Sequence, residues 1–142
     1  MSAPAMSDEN VERVRAAIDA LNASGWDPEA VIPYFAPGAV HYPFPDWPGP
    51  DCYEGPEGLR ALIEEWTQSF DELCWEVVRL IDEEDRVVAR VQQHGRARGS
   101  GVPADSEVSA VFSRIGPDGI GETRYWFGWE PQAAGAPPSA GQ

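Results

Sequence analysis

Two side chains in this sequence would titrate near neutral pH without special tuning, His41 and His94. Each is therefore a candidate general acid or base. His94 ends the run Arg86-Val-Val-Ala-Arg-Val-Gln-Gln-His94, and Glu107-Val-Ser-Ala-Val-Phe-Ser113 follows after a glycine-rich turn. Read as a hairpin centred near residues 100–101, the two runs bring His94 opposite the region of Glu107. Cross-strand Cβ atoms approach within about 5 Å, so a carboxylate there would orient the imidazole and raise its basicity. The competing reading is a solvated His–Glu pair on the outer face. It has support from Arg86, Arg90, Arg96 and Arg98, which share the even parity of His94 in an acidic chain. A bulge near Gly95 would uncouple His94 from that face. His41 stands beside Tyr42, and strand alternation points the two to opposite sides, so only one faces a pocket. Asp46 adjoins Trp47; buried against the indole its pKa would rise, and in solvent it would be an ordinary loop carboxylate.

The aromatic residues suggest what such groups would act on. Trp47 and Tyr53 lie in the loop Pro45-Asp-Trp-Pro-Gly-Pro-Asp-Cys-Tyr-Glu-Gly55, which is long for a connector and suits the rim of a cavity. With Tyr34, Trp66, Val111, Arg124 and Trp126 they form the expected substrate-binding wall, apolar with few polar groups, as a ring-bearing ligand needs. Tyr125, Trp126, Phe127 and Trp129 fit a dimer interface equally well. Gly95, Gly99 and Gly101 read as hairpin and bend; no helix follows them, as a phosphate-binding loop requires.

The elements that must position these groups follow from periodicity. Residues 1–7 read as a flexible leader, with Ser7 as a helix cap. Val11, Val14, Ile18 and Leu21 make one apolar stripe ended by Gly25. Asp27-Pro28 opens a second helix that Pro33 keeps short or kinked. Pro37-Gly38 marks a turn, and residues 39–44 a short edge strand. Pro56 and Glu57 open a third helix with Leu59, Leu62, Ile63, Trp66 and Phe70 as its stripe. Four strands follow, at about residues 73–83, 86–98, 105–115 and 120–130. The tail, residues 131–142, is rich in Pro, Ala and Gly and is expected to be disordered. The order predicts one α+β domain over residues 8–130, a curved antiparallel sheet with three helices from the N-terminal half on its concave face.

Composition narrows the function classes. The chain has 142 residues, 24 acidic against 10 basic, for a formal charge of −14. That argues against binding nucleic acid or an anionic membrane, which needs clustered positive charge. No apolar run approaches the ~20 residues of a membrane span. Cys52 and Cys74 lack metal-ligand spacing and read as reduced thiols of a cytoplasmic protein; a single disulfide is the alternative. No secretory signal is visible in the first residues.

Several local words, in order, carry a family resemblance. They are Ala20-Leu-Asn22 with Trp26-Asp27, Tyr34-Phe-Ala-Pro37, Tyr53-Glu-Gly55 with Gly58-Leu59, Asp85-Arg-Val-Val88, Gly95-Arg-Ala-Arg-Gly-Ser-Gly101 and Pro117-Asp-Gly119. Over residues 8–130 the chain resembles the SnoaL-like branch of the superfamily that includes nuclear transport factor 2, scytalone dehydratase and ketosteroid isomerase. The resemblance implies a cone-shaped fold with a pocket between helices and sheet, a homodimer, and a hydrophobic small-molecule ligand. It does not carry the isomerase's chemistry: the positions matching its base, oxyanion tyrosine and protonated aspartate hold Tyr42, Ala17 and Val111. The aspartate pair of limonene epoxide hydrolases is missing too, although Arg96 and Glu107 leave room for a variant. No aspartate falls inside the strands predicted between residues 86 and 115, or in 120–130, to match the sheet aspartate of SnoaL-like cyclases; Asp105 stands at the boundary of one.

The expectation is a small enzyme, needing no cofactor or metal, that does acid–base chemistry on a hydrophobic cyclic or polyketide-like molecule. That chemistry would be cyclisation, isomerisation or dehydration through His41, Tyr42, Asp46, His94 and Glu107. An epoxide hydrolase with Glu107 as base is one alternative, and a non-catalytic binding or dimerisation module is the other.

Overall fold

The apolar stripes and turn residues resolve into three helices and six strands in a computed structural model that describes residues 3–45 and 47–129. Helix α1 runs Ala3–Ala23 and so begins before Ser7, the expected cap. Pro4 is tolerated there because the first turn has no use for its missing N–H. Val14, Ala17 and Ile18 are the buried face of α1. Its end closes through Gly25 in the left-handed region (φ 73°) and a Trp26 N–H bond to the Leu21 carbonyl at 2.8 Å. Trp26 is left-handed as well (φ 65°), a conformation a bulky residue holds only when its surroundings compensate. It is buried, and the strain turns its indole into the core.

Helix α2, Pro28–Val31, is capped by the Asp27 side chain accepting from Glu29 N at 3.0 Å. Pro33 converts the continuation into a 3₁₀ turn, Ile32–Tyr34. Strand β1 is Phe35–Tyr42. The expected turn at Pro37-Gly38 lies inside this strand, where the register shifts between Phe35 and Val40. A bulge absorbs the proline that cannot donate to the ladder. The aromatic loop contains an unforeseen two-residue strand, β2 (Tyr53–Glu54), paired with β1.

Helix α3 is Gly55–Ser69, with Leu59, Leu62, Ile63 and Trp66 buried. Phe70, expected on its stripe, instead begins β3, Phe70–Asp82. Strands β4 (Arg86–Ala97), β5 (Ser106–Ser113) and β6 (Ile120–Phe127) complete the sheet. Its order is β2-β1-β6-β5-β4-β3, curved and open-ended, with helices over one face. The sheet is mixed rather than wholly antiparallel, because β1 runs parallel to β6.

Asn22 fastens the helical layer to the sheet. Its Nδ2 donates to Trp75 O at 2.8 Å and its Oδ1 accepts from Trp75 N at 2.9 Å, so one side chain acts as a strand partner to the bulged β3. Between the layers lies an aromatic cluster. Trp66 sits edge-to-face with Trp26 (5.2 Å between ring centroids), Trp75 (5.7 Å) and Tyr125 (5.3 Å). Such geometry sets the positive edge of one ring against the negative face of the next. The expected tail, residues 131–142, lies outside the described residues.

Candidate active site

The space between helices and sheet is divided in two. Its inner part is lined by Ile18, Trp26, Leu62, Trp66, Trp75, Phe112 and Tyr125, among other apolar groups, and has a cavity volume of only about 40 Å³. That is room for a water or two, without the polar partners water needs. The aromatic cluster has filled the pocket where a deep ligand would lie. Beyond Trp66 the space widens to about 400 Å³, lined by Phe44, Trp47, Trp66, Phe70, Trp126 and Phe127 with Gln93, Asp105 and Ser106. This mouth has the size and mixture of a small-molecule site. A neighbouring recess of about 290 Å³ lies between Tyr42, Phe44, Trp47, Asp51 and Arg124.

Gln93 sits where the two parts meet. It is buried on β4, and its Oε1 accepts from Trp66 Nε1 at 3.2 Å and Trp75 Nε1 at 2.9 Å. Both indole N–H groups are thereby satisfied inside an apolar core, as burial demands. With the oxygen committed, the amide nitrogen is the end of Gln93 that could donate to a guest.

Trp47 is held on the wall by a clasp. Glu65 of α3 accepts from Tyr53 OH at 2.5 Å and from Trp47 Nε1 at 3.3 Å, while Trp47 Nε1 also lies 2.8 Å from Tyr53 OH. Burial, with the Glu65 hydrogen bond adding to it, pushes the Tyr53 phenol up to about 12, so it remains a donor across the physiological range. Gly49 passes directly over the clasp: a Cβ there would come within 2.5 Å of Tyr53 Oη. A side chain at that point would have to displace the clasp.

The expected catalytic residues do not converge on the mouth. His41 is wholly buried on the helical side of β1, beneath Phe35, whose ring stands 5.1 Å away edge-on, and Leu59. Its Nδ1 bonds to Thr123 Oγ1 at 2.8 Å and its Nε2 has no partner. Burial drives its pKa down to about 4, so it is neutral and sealed. Tyr42 faces the opposite way, with the Arg124 guanidinium 3.9 Å above its ring. The pairing of His41 with Thr123 and Tyr42 with Arg124 settles which side each takes.

His94 projects from the outer face, and its partner is not Glu107. Its Nε2 lies 3.0 Å from Glu76 Oε1 and its Nδ1 3.5 Å from Asp105 Oδ1. The Glu76 hydrogen bond holds the imidazole pKa above its ordinary value. The bulges fall on β3, between Asp71 and Cys74 and between Val77 and Arg79, so the parity of β4 is unbroken. Gly95 is needed for another reason, since a Cβ there would lie 3.1 Å from Leu73 Cδ2. Glu107 opposes Gln92 and is exposed on the same outer face. Asp46 lies outside the described residues.

Of the expected binding wall, Trp47, Trp66 and Trp126 border the mouth. Tyr53 supports Trp47 from behind. Tyr34 packs against the core, and Val111 and Arg124 face each other across β5 and β6 on the outer face. Sequence reasoning missed Phe44, Glu65, Gln93 and Asp105, and left Phe127 between a ligand wall and a dimer interface. Phe44 and Phe127 stack with centroids 4.1 Å apart at the lip. Gln93 alone had a legible signal: a polar residue at the inward parity of Val87, Ala89 and Val91.

A family model for the SnoaL-like domain matches residues 14–119. Among curated proteins nothing matches. Solved structures resemble the chain over most of their length. A protein from Jannaschia described as a SnoaL-like polyketide cyclase is 23% identical, covering 95% of this chain and 94% of its own, with a TM-score of 0.71. One described as an isomerase from Bacillus subtilis is 18% identical over 85% of this chain and 87% of its own (TM-score 0.70). SalBIII, an epoxide hydrolase/cyclase-like enzyme with a role in pyran ring formation in the polyether salinomycin, is 19% identical over 85% and 92% (TM-score 0.68). At these identities the likeness is one of fold, the cone of helices over a curved sheet already seen in the chain, and with the family match it shows that this chain belongs to the SnoaL-like domain family.

Proposed function

We propose that the chain binds a hydrophobic, ring-bearing small molecule at the mouth of the cone. One observation carries this reading: a cavity of about 400 Å³ bordered by six aromatic side chains, closed at its inner end by Trp66. Trp fluorescence with a neutral ring-bearing probe such as naphthol tests it. Binding should occur in the wild type and weaken about tenfold or more in Trp47→Ala, since a lost aromatic contact is worth ~1–2 kcal/mol. Unaltered binding in that variant, or none in the wild type, would sink the reading.

A second reading, acid–base catalysis on that ligand, is favoured by Asp105. Among the described lining residues it is the ionisable one, and it is in contact with His94. Asp105 lines the cavity while its carboxylate lies 3.5 Å from His94, so in this version the Asp105–His94–Glu76 series would carry protons between the cavity edge and the outer face. His41 and Glu107 take no part in this version, nor does the epoxide-hydrolase alternative that used Glu107 as base. Loss of about 10²-fold in kcat for Asp105→Ala, with the affinity for a neutral probe unchanged, is the expected signature. Assembly as a homodimer belongs to the same proposal. Sedimentation equilibrium giving a single species of the monomer's 15.5 kDa mass would remove it.

A further inference from the structure

The electrostatics of the mouth point to the class of ligand, on the reading that the mouth is a binding site. We propose that it selects a cation, an amine or quaternary ammonium centre carried on an apolar body, held between the aromatic wall and Asp105.

The wall is continuous. Phe44 stacks on Phe127 and lies 6.2 Å from Trp47 and 5.2 Å from Trp66, while Trp47 and Trp66 are 5.8 Å apart. The faces of these rings carry negative potential and attract a cation within about 6 Å of their centroids, more strongly as water is excluded. The β4–β5 connection brings Asp105 to the same cavity, and it is the single ionisable side chain among the described lining residues. The arginines at that end of β4 are already engaged, Arg98 with Asp71 at 2.8 Å and Arg96 with Glu72 at 3.2 Å. Behind Asp105 stands His94, shared with Glu76. Two carboxylates and one imidazole leave that cluster negative in either charge state of His94. The chain's charge of −14 adds long-range attraction for cations. An anion would meet repulsion from the ring faces, from Asp105 and from the chain's net charge, and a neutral body would gain apolar burial alone.

The test compares benzyltrimethylammonium with its carbon isostere neopentylbenzene and with the anion phenylacetate, followed by Trp fluorescence in low salt. The cation should bind about tenfold tighter than the isostere, the advantage expected of cation–π contacts with a nearby carboxylate. That advantage should shrink in Asp105→Asn and in high salt. Asp105 is half-exposed, so the isosteric change leaves folding intact and can be checked by circular dichroism. Equal or better binding of the isostere or the anion overturns the cation proposal and leaves the binding site standing. So does a preference that survives Asp105→Asn unchanged. Failure of all three probes to bind removes both.

Discussion

The inner half of the cone and its mouth are built from the same residue types to opposite effect. Inside, Trp26, Trp66, Trp75 and Tyr125 meet edge to face and leave a cavity of about 40 Å³. At the mouth, Phe44, Trp47 and Phe127 stand along a cavity of about 400 Å³. The difference lies in what opposes each ring. Inner rings face other rings and the two-indole acceptor Gln93, so they consume their surface in packing. Mouth rings also touch one another, Phe44 stacking on Phe127, yet they and the β4–β5 residues Ala104–Ser106 leave a cavity between them. The space between the layers is thus filled at its inner end and open beside the aromatic loop. The histidines also differ: His41 is sealed on the inner side and neutral, whereas His94 is on the outer face of the sheet and hydrogen-bonded to a carboxylate.

The comparison breaks most visibly at Trp66, the residue both halves share. Trp66→Ala should destabilise the fold by about 3–5 kcal/mol, the usual result of deleting a buried indole. Urea denaturation measures it, and a loss below about 1 kcal/mol would mean the inner cluster relaxes freely instead of packing as a unit.

Acid should attack the inner half next. His41 is held down to about 4 when folded, against about 6.5 when unfolded. The unfolded chain therefore binds a proton that the folded chain refuses. Stability is fully present above pH 6.5 and is lost as pH falls from there towards 4, by about 3 kcal/mol in all at ~1.4 kcal/mol per unit. His41→Asn, compared with the wild type by urea melts at pH 7 and pH 4.5, should flatten that part of the profile. An identical slope in the variant would show that His41 is not the group responsible.

The mouth should be far less sensitive. Phe127 is 56% exposed. Phe127→Ala should cost about 0.5–1 kcal/mol, the worth of one aromatic pair, while weakening ligand binding measurably. A stability loss like that of Trp66→Ala would erase the distinction between packed and lining rings.

Much of this architecture was readable from local pattern. The stripes of α1 and α3 appear at their helical spacing, and Pro33 interrupts its helix as its chemistry requires. The shared parity of His94 with the β4 arginines counted towards the outer face it takes, although a bulge near Gly95 left the inward reading open. Other features depend on partners remote in sequence. The Trp47–Tyr53–Glu65 clasp joins a loop to a helix, and no periodicity marks Glu65. Asp105 lies between two strands with nothing local to distinguish it from other loop acids.

The amino-acid sequence by itself determined the α+β order, the helix faces and the alternation of each strand, because these depend on neighbours a few residues apart. Tertiary structure alone decided that β1 joins β6 in parallel, which seals His41 against Thr123 and turns Tyr42 to Arg124. It also decided that the indoles close the deep pocket and leave the mouth open. Both outcomes rest on which surfaces meet across long stretches of chain, and that is fixed by packing and exclusion of water between layers, not by any local preference.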